Sequence, residues 1–471
     1  MNWHILKFGV MYYRRSNEET SMEKTVFILG AGASVSAGLP TQAGILPLIF
    51  TISKDSFSTI NTESDFLSLK IDDKEQRIEE FYPKFDEFRQ SLGRFIVVNF
   101  SSAEKAKQYL YAIEQASKTE TTTAEDIAKR DLLLKKAYEI AKTVNVTLED
   151  LFTIFDNVSA GREHFRLYSP QKMLEIHNQL KLCIIYALSY SINENCNSTD
   201  YSNFAKALME KRLSIPQAED AMSVITMNWD DILEHSLFKL CHEHNSKLTK
   251  NQQKILPDLC FYNYDLGQSK DHIPSIHIKA KKIKNIKILK MHGSLAWLEC
   301  PKCGRIFTDF AEEIASEEFS EIKCPKCSIE SSNDGENPVL RNLIITPTFM
   351  KSLDNLNVKN IWQNASIDIS EADHLVFIGY SFPDADFEMR CLLKKSVKNS
   401  ADITVVLTNS DNPHNAHTTL LEKGFSEEEA NVFVQKMHLP AERYISFFGE
   451  DKVTFNYGGF NSYINEMRNL K

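Results

Sequence analysis

The chain has 471 residues and a mass of 54.0 kDa, with 42% hydrophobic and 25% charged residues, enough for a sizeable buried core in two or three domain-sized pieces. Lys and Arg number 54 against 64 Asp and Glu; the resulting net charge of -10 and pI of about 5.8 argue against a general nucleic-acid binder. No apolar run reaches the roughly 18 to 20 residues of a membrane span, and the first twenty residues hold no signal-peptide core, so the expected setting is cytoplasmic with no membrane partner.

In chain order, residues 1–21 read as a mixed N-terminal arm. MEKTVFILGAGASVSAGLPTQAG follows, with Val26 to Leu29 as a short apolar strand, then closely spaced glycines, then a helix, which is the start of an open α/β sheet. Gly30, Gly32 and Ser34 fall between strand and helix, where backbone N–H groups face a diphosphate in dinucleotide-binding folds. Val35 occupies the third place of G-x-G-x-x-G, and no GK[ST] ending supports an ATPase P-loop. Nor does an acid close a second strand about 20 residues on, which ranks hydride-transfer chemistry low.

Residues 51–221 change to long helical periodicity with few glycines and read as a mainly helical inserted domain. Glu149 and Asp150 in TLEDLF fit an N-terminal cap with surface charge; a gate at the site is the alternative. Strand texture returns at AMSVITMNWDDILEHSLF, where Ser223 to Thr226 lead to Asn228 and Asp230, and again at IKNIKILKMHGS, which ends in His292. Lys279, Lys281, Lys282, Lys284, Lys287 and Lys290 read as a charged solvent face.

Cys300-x2-Cys303 and Cys324-x2-Cys327 form the most specific motif in the chain. Two CPxC knuckles complete a tetrahedral zinc shell with no open position, so Zn2+ is expected to be structural. The acidic stretch DFAEEIASEEFSE between the knuckles argues against a nucleic-acid grip. Three more strands follow: VLRNLIIT, then HLVFIGYSFPDADF with Gly379 and Ser381 at its end, then ITVVLTN with Asn409 at its end. Asp384 and Asp386 read as helix-start acids, with a role at the dinucleotide edge, close to Ser381, as the alternative. A strand, a glycine turn and a closing helix end the chain.

The order GAGAS, TMNWD, HGS, paired knuckles, GYS and TN resembles the sirtuin superfamily, and more closely its bacterial branch involved in antiviral defence by NAD hydrolysis. The resemblance covers about 24–45 and 222–411. It implies a Rossmann-like α/β fold with a large helical insertion and a four-cysteine zinc-binding module. The expected division is 22–50, 222–295 and 341–471 for the discontinuous NAD-binding domain, 51–221 for the insertion and 296–340 for the zinc module. By the same resemblance Gly30, Ala31, Gly32, Ser34, Thr226, Gly379, Ser381 and Asn409 bind NAD+, and Asn228, His292 and Asp230 act in catalysis.

Three departures qualify this likeness. Thr41-Gln42-Ala43 stands where deacylases have Asp-Phe-Arg, Met227 precedes Asn228 in place of Gln, and Thr346-Pro347-Thr348-Phe349 replaces the Phe-Gly-Glu that helps hold an acyl-lysine peptide. The expected function is therefore an NAD+ glycohydrolase releasing nicotinamide and ADP-ribose, with NAD+ as substrate, used for NAD+ depletion on infection. The alternatives are an NAD-dependent lysine deacylase and a non-catalytic NAD or ADP-ribose sensor. An enzyme of this kind needs restraint in the cell, so a homo-oligomer and a regulatory ATPase or phage-derived activator are the expected partners.

Overall fold

The computed structural model describes residues 22–54, 74–195, 198–249, 252–260, 262–265, 273–274, 283–308, 323–330, 338–348, 355–408, 411–423, 425–429, 431 and 440–469. A seven-stranded parallel sheet is built from β1 (Thr25–Leu29), β2 (Met222–Thr226), β3 (Lys254–Asp258), β6 (Ile283–Lys290), β10 (His374–Ile378), β11 (Asp402–Val406) and β12 (Val453–Asn456). Its spatial order is β12-β11-β10-β1-β2-β6-β3. β1 and β2 are buried at every position, as their uninterrupted apolar runs require when helices cover both faces of a parallel sheet.

The chain leaves β1 toward β2 and later returns to the opposite side at β10, so β1 and β10 flank a topological switch point, where open α/β sheets bind ligands. Register brings the strand ends into one row: Leu29 pairs with Thr226 and Ile378, Thr226 with Lys290, and Ile378 with Val406. Four interstrand steps of about 4.8 Å make that row roughly 19 Å long. Each sequence motif begins at its strand end or within two residues past it, so the parallel sheet brings them to a single edge.

The helices before β2 are α1 (Gln42–Ile49), α2 (Lys74–Phe100), α3 (Ala103–Lys118), α4 (Ala124–Lys142), α5 (Leu148–Gly161), α6 (Pro170–Asn195) and α7 (Thr199–Ser214). Within this group α2 packs on α6, α3 on α4 and α5 on α6. A polar core ties the group to the end of α1: Arg89 pairs with Asp86, donates to the carbonyl oxygen of Ile52 and stacks 4.0 Å from the Tyr138 ring centroid. In contrast, α7 packs on the sheet side, against α8 (Ile232–Ser246), β6 and the last helix, Gly459–Asn469, with Phe204 edge-on to Phe27 of β1 at 5.4 Å.

A second, five-stranded sheet, ordered β5-β4-β8-β7-β9, uses β4 (Tyr262–Asp265), β5 (Ile273–Pro274), β7 (Gly293–Glu299), β8 (Ile306–Thr308) and β9 (Arg341–Ile344). Short helix α9 (Pro325–Glu330) carries Cys327 and starts just after Cys324. The remaining helices are α10 (Leu356–Glu371), α11 (Phe387–Ser396), α12 (Pro413–Glu422), α13 (Pro440–Phe448) and α14 (Gly459–Asn469). Among the described residues no helix is long and apolar enough to cross a membrane.

The lysine run departs from the sequence expectation of a solvent face. Lys279, Lys281 and Lys282 lie outside the described residues, and the other three are inward-facing. Lys284 donates to the carbonyl oxygens of Leu213 and Ile215, Lys287 pairs with Asp220 and Asp368, and Lys290 pairs with Glu234 at 2.6 Å, both side chains 1% exposed. Charged residues on β6 survive burial because each ammonium meets carbonyl or carboxylate oxygens on neighbouring elements.

Candidate functional site

One cavity of about 960 Å3 lies over the row of strand ends. Asn228 and His292, two residues beyond the ends of β2 and β6, both line it, as do Ala31, Gly32, Ser34, Gly379 and Ser381. Asn409 lies outside the described residues, but Thr408 and Asp411 on either side of it line the cavity. The far wall comes from the helical group, through Leu46, Phe50, Ile96 and the α4–α5 turn that includes Asn145 and Thr147.

Beneath the cavity floor a buried hydrogen-bond cluster fixes Asn228. Its Nδ2 donates to the carbonyl oxygen of Gly30 at 3.0 Å and to Ser34 Oγ at 3.1 Å, while its backbone N–H donates to Thr226 Oγ1. The Gly30 carbonyl can only accept, so the orientation of the carboxamide is set. Its Oδ1 is thereby the atom left without a partner, and it is buried. Ser34 Oγ–H donates to Asp230 Oδ2 at 2.8 Å and accepts from Tyr201 O–H at 2.8 Å. Asp230 Oδ1 also accepts the Ile232 N–H, and burial pushes its carboxyl above the usual range.

Three residues expected to bind NAD+ have protein partners of their own here. The Ser34 hydroxyl, expected on a phosphate or ribose, is engaged within the floor and is 2% exposed. Thr226 does not line the cavity; it holds the Asn228 backbone. Gly30 likewise lies below the lining. The N–H groups of Gly30 and Gly32 donate to the carbonyl oxygens of Ile378 and Gly379 at 3.0 and 2.8 Å, and that of Ala33 to Gly30. A Cβ on Gly32 would lie 2.7 Å from the Gly379 oxygen, and one on Gly379, where φ is +59°, 2.1 Å from the Ala33 nitrogen. The glycines therefore allow two loops to interlock across the switch point.

His292 Nδ1 lies 3.2 Å from the Met227 carbonyl oxygen, which can only accept, so Nδ1 carries a proton and donates there. Nε2 lies 3.6 Å from Asp386 Oδ1, with both side chains 7% exposed. Asp386 Oδ2 accepts from Tyr380 O–H at 2.8 Å. Asp386 is the N-cap residue of α11, as its reading as a helix-start acid expects, but its side chain makes no cap hydrogen bond and faces His292 instead. Asp384 is exposed and pairs with Arg390. Asp150 closes a capping box with Thr147, as expected of a cap, whereas Glu149 lines the cavity.

The loop after β10 is braced from α13: Tyr444 O–H donates to the Tyr380 carbonyl oxygen at 2.7 Å and Arg443 Nη1 to that of Ser381 at 2.8 Å. Phe382 sits in the left-handed region at φ 54°, a strained conformation for a bulky residue, held by stacking on Tyr444 and edge contact with Phe447. Of the replaced segments, Thr41, Gln42, Ala43 and Pro347 line the cavity, while Phe349 lies outside the described residues.

The four cysteines form one cluster with all sulfurs within 4.8 Å of one another. Cys300 and Cys327 sulfurs are 3.8 Å apart, and those of Cys303 and Cys324 3.9 Å. A tetrahedron with metal–sulfur bonds of about 2.3 Å has edges of about 3.8 Å, so the donors fit a single metal ion. The Cys303 and Cys327 N–H groups point back to Cys300 and Cys324 sulfurs, which steadies each knuckle.

Residues 222–431 match the family model described as the SIR2-like domain. That stretch, under half of the chain, is similar to a SIR2-like domain. Among solved structures it is similar to a Sir2 homologue mutant in complex with ADP-ribose, at 13% identity over 95% of this chain and 93% of that chain, with a TM-score of 0.33. A Sir2 complex with peptide and NAD+ shows 12% identity over 95% and 93%, with a TM-score of 0.32. No curated protein matches the chain.

Proposed function

We propose that the chain is an NAD+ glycohydrolase. The observation that carries this reading is that Asn228 and His292 line one cavity, with Asn228 Oδ1 a buried acceptor just beneath its floor that has no protein partner. Such an atom loses the stabilisation of a hydrogen bond unless a ligand hydroxyl or water supplies it. In the reaction the bond between ribose C1′ and the nicotinamide nitrogen breaks, its electron pair leaving with nicotinamide. A water oxygen then bonds to C1′ and gives up a proton.

Asn228 orients the ribose or that water through Oδ1. His292 accepts a proton on Nε2 from the ribose or water, and Asp386 stabilises the imidazolium that results. The Thr41-Gln42-Ala43 and Thr346-Pro347 segments favour water over an acyl-peptide acceptor, because neither retains the residues of the deacylases it resembles. In the cell the reading is NAD+ depletion on infection, which rests on the sequence resemblance. The cysteine cluster is assigned Zn2+, which supplies a cross-link between the two knuckles and no chemistry at the cavity.

A time course of NAD+ with and without acyl-lysine peptide, resolving nicotinamide, ADP-ribose and O-acyl-ADP-ribose, tests the reading. Peptide-independent release is expected, and it is expected to vanish in both Asn228→Ala and His292→Ala while circular dichroism stays unchanged. Release that needs the peptide would establish deacylation. ADP-ribose binding without release, or unchanged turnover in both variants, would overturn the catalytic assignment.

A further inference from the structure

Three N–H groups of the glycine loop are spent within the protein rather than held out to a diphosphate. The N–H groups of Gly30, Gly32 and Ala33 already donate to protein carbonyls. Among the described residues four acids, Glu149, Asp230, Asp386 and Asp411, line the cavity against two permanent cations, Lys142 and Arg443. An anion entering such a wall meets repulsion unless a cation stands where its charge comes to rest.

The two cations are not equivalent. Lys142 is exposed, at the end of α4, and its ammonium lies 3.6 Å from Glu139. Arg443 is half-buried, and its Nη1 donates to the Ser381 carbonyl oxygen. A guanidinium carries five N–H donors in a planar fork suited to phosphate oxygens, so most remain for a ligand. Ser381 is two residues beyond Gly379, whose carbonyl takes the Gly32 N–H. Arg443 is thus anchored to the loop that interlocks with the glycine turn, at the switch-point crevice.

We infer that Arg443, contributed by α13 and lying outside the matched domain, is the cationic subsite for the diphosphate of the dinucleotide. The inference rests on the NAD+ reading. It assigns charge recognition to a C-terminal helix and gives the glycine turn a packing duty. Arg443 also braces the 380–382 loop, so the test has to separate charge from bracing.

The experiment compares ADP-ribose and adenosine binding to the full chain by calorimetry at several salt concentrations, for the unaltered protein, Arg443→Gln and Arg443→Lys. Loss of a charge-assisted contact predicts ADP-ribose binding weaker by roughly tenfold to a hundredfold in Arg443→Gln, with less than a twofold change for adenosine. Arg443→Lys recovers part of the loss, and the salt dependence of ADP-ribose binding flattens in Arg443→Gln. Equal ADP-ribose affinity in Arg443→Gln, or equal weakening of both ligands with an unaltered salt dependence, overturns the assignment. Failure of the unaltered protein to bind either ligand refutes the dinucleotide reading itself and this subsite with it.

Discussion

Asp386 is a buried carboxylate whose two oxygens face His292 and the Tyr380 hydroxyl, although SFPDADF reads on its own as the acidic start of a helix. Sequence spacing places an acid near Ser381 but says nothing of His292, which lies on another strand end. Tyr201 was hidden for the same reason: its hydroxyl reaches Ser34 across 167 positions of chain from a helix that reads as part of the insertion. Asn228 and His292 were legible because each follows an apolar strand in a recognisable motif. If Asp386 stabilises the imidazolium, Asp386→Asn is expected to lower nicotinamide release on the order of a hundredfold. ADP-ribose affinity should stay within about twofold by calorimetry, since the residue acts through His292. A parallel fall in both quantities would mark Asp386 as a packing group only.

At the scale of elements, β6 and α8 show why alternation misled the reading of the lysines. A strand in the interior of a parallel sheet has no solvent face, so β6 buries Lys290 against Glu234. Burial is the largest influence on Glu234 and pushes its carboxyl up to about 6, with Lys290 opposing. A carboxyl raised in the folded state holds its proton longer than in the unfolded chain. Its contribution to stability is therefore full below the unfolded value and is lost as pH rises through about 6. Urea unfolding of the unaltered protein and Glu234→Gln should thus show a stability difference that moves in favour of the unaltered chain as pH falls from 7.5 to 5. Over that range the change is on the order of 1 kcal/mol, because pH 5 is still above the unfolded value of 4.5. A difference that stays flat across this range would mean that Glu234 remains ionised throughout.

For the whole molecule, the cysteine spacing announced a metal cluster, while nothing local announced how the cluster reaches the cavity. β7 starts at Gly293, immediately after His292, and pairs with β9 opposite Ile344. Gly293 has φ +74°, and a Cβ there would lie 2.0 Å from the Leu343 oxygen, so the approach of β9 is close and tolerates no side chain. The Ile345 N–H donates to the His292 carbonyl oxygen at 2.8 Å, and Trp229 Nε1–H to that of Ile345 at 3.1 Å. These contacts couple the sheet that carries the knuckles to both His292 and the Asn228 loop. Cys303→Ser is expected to lower metal content, because binding energy at such a site is folding energy. The same variant should lose thermal stability and, in step with it, ADP-ribose affinity, although Cys303 does not line the cavity. Elemental analysis alongside calorimetry checks the coupling. Lost metal with intact affinity would confine the cluster to its own module, and retained metal would remove Cys303 from the shell.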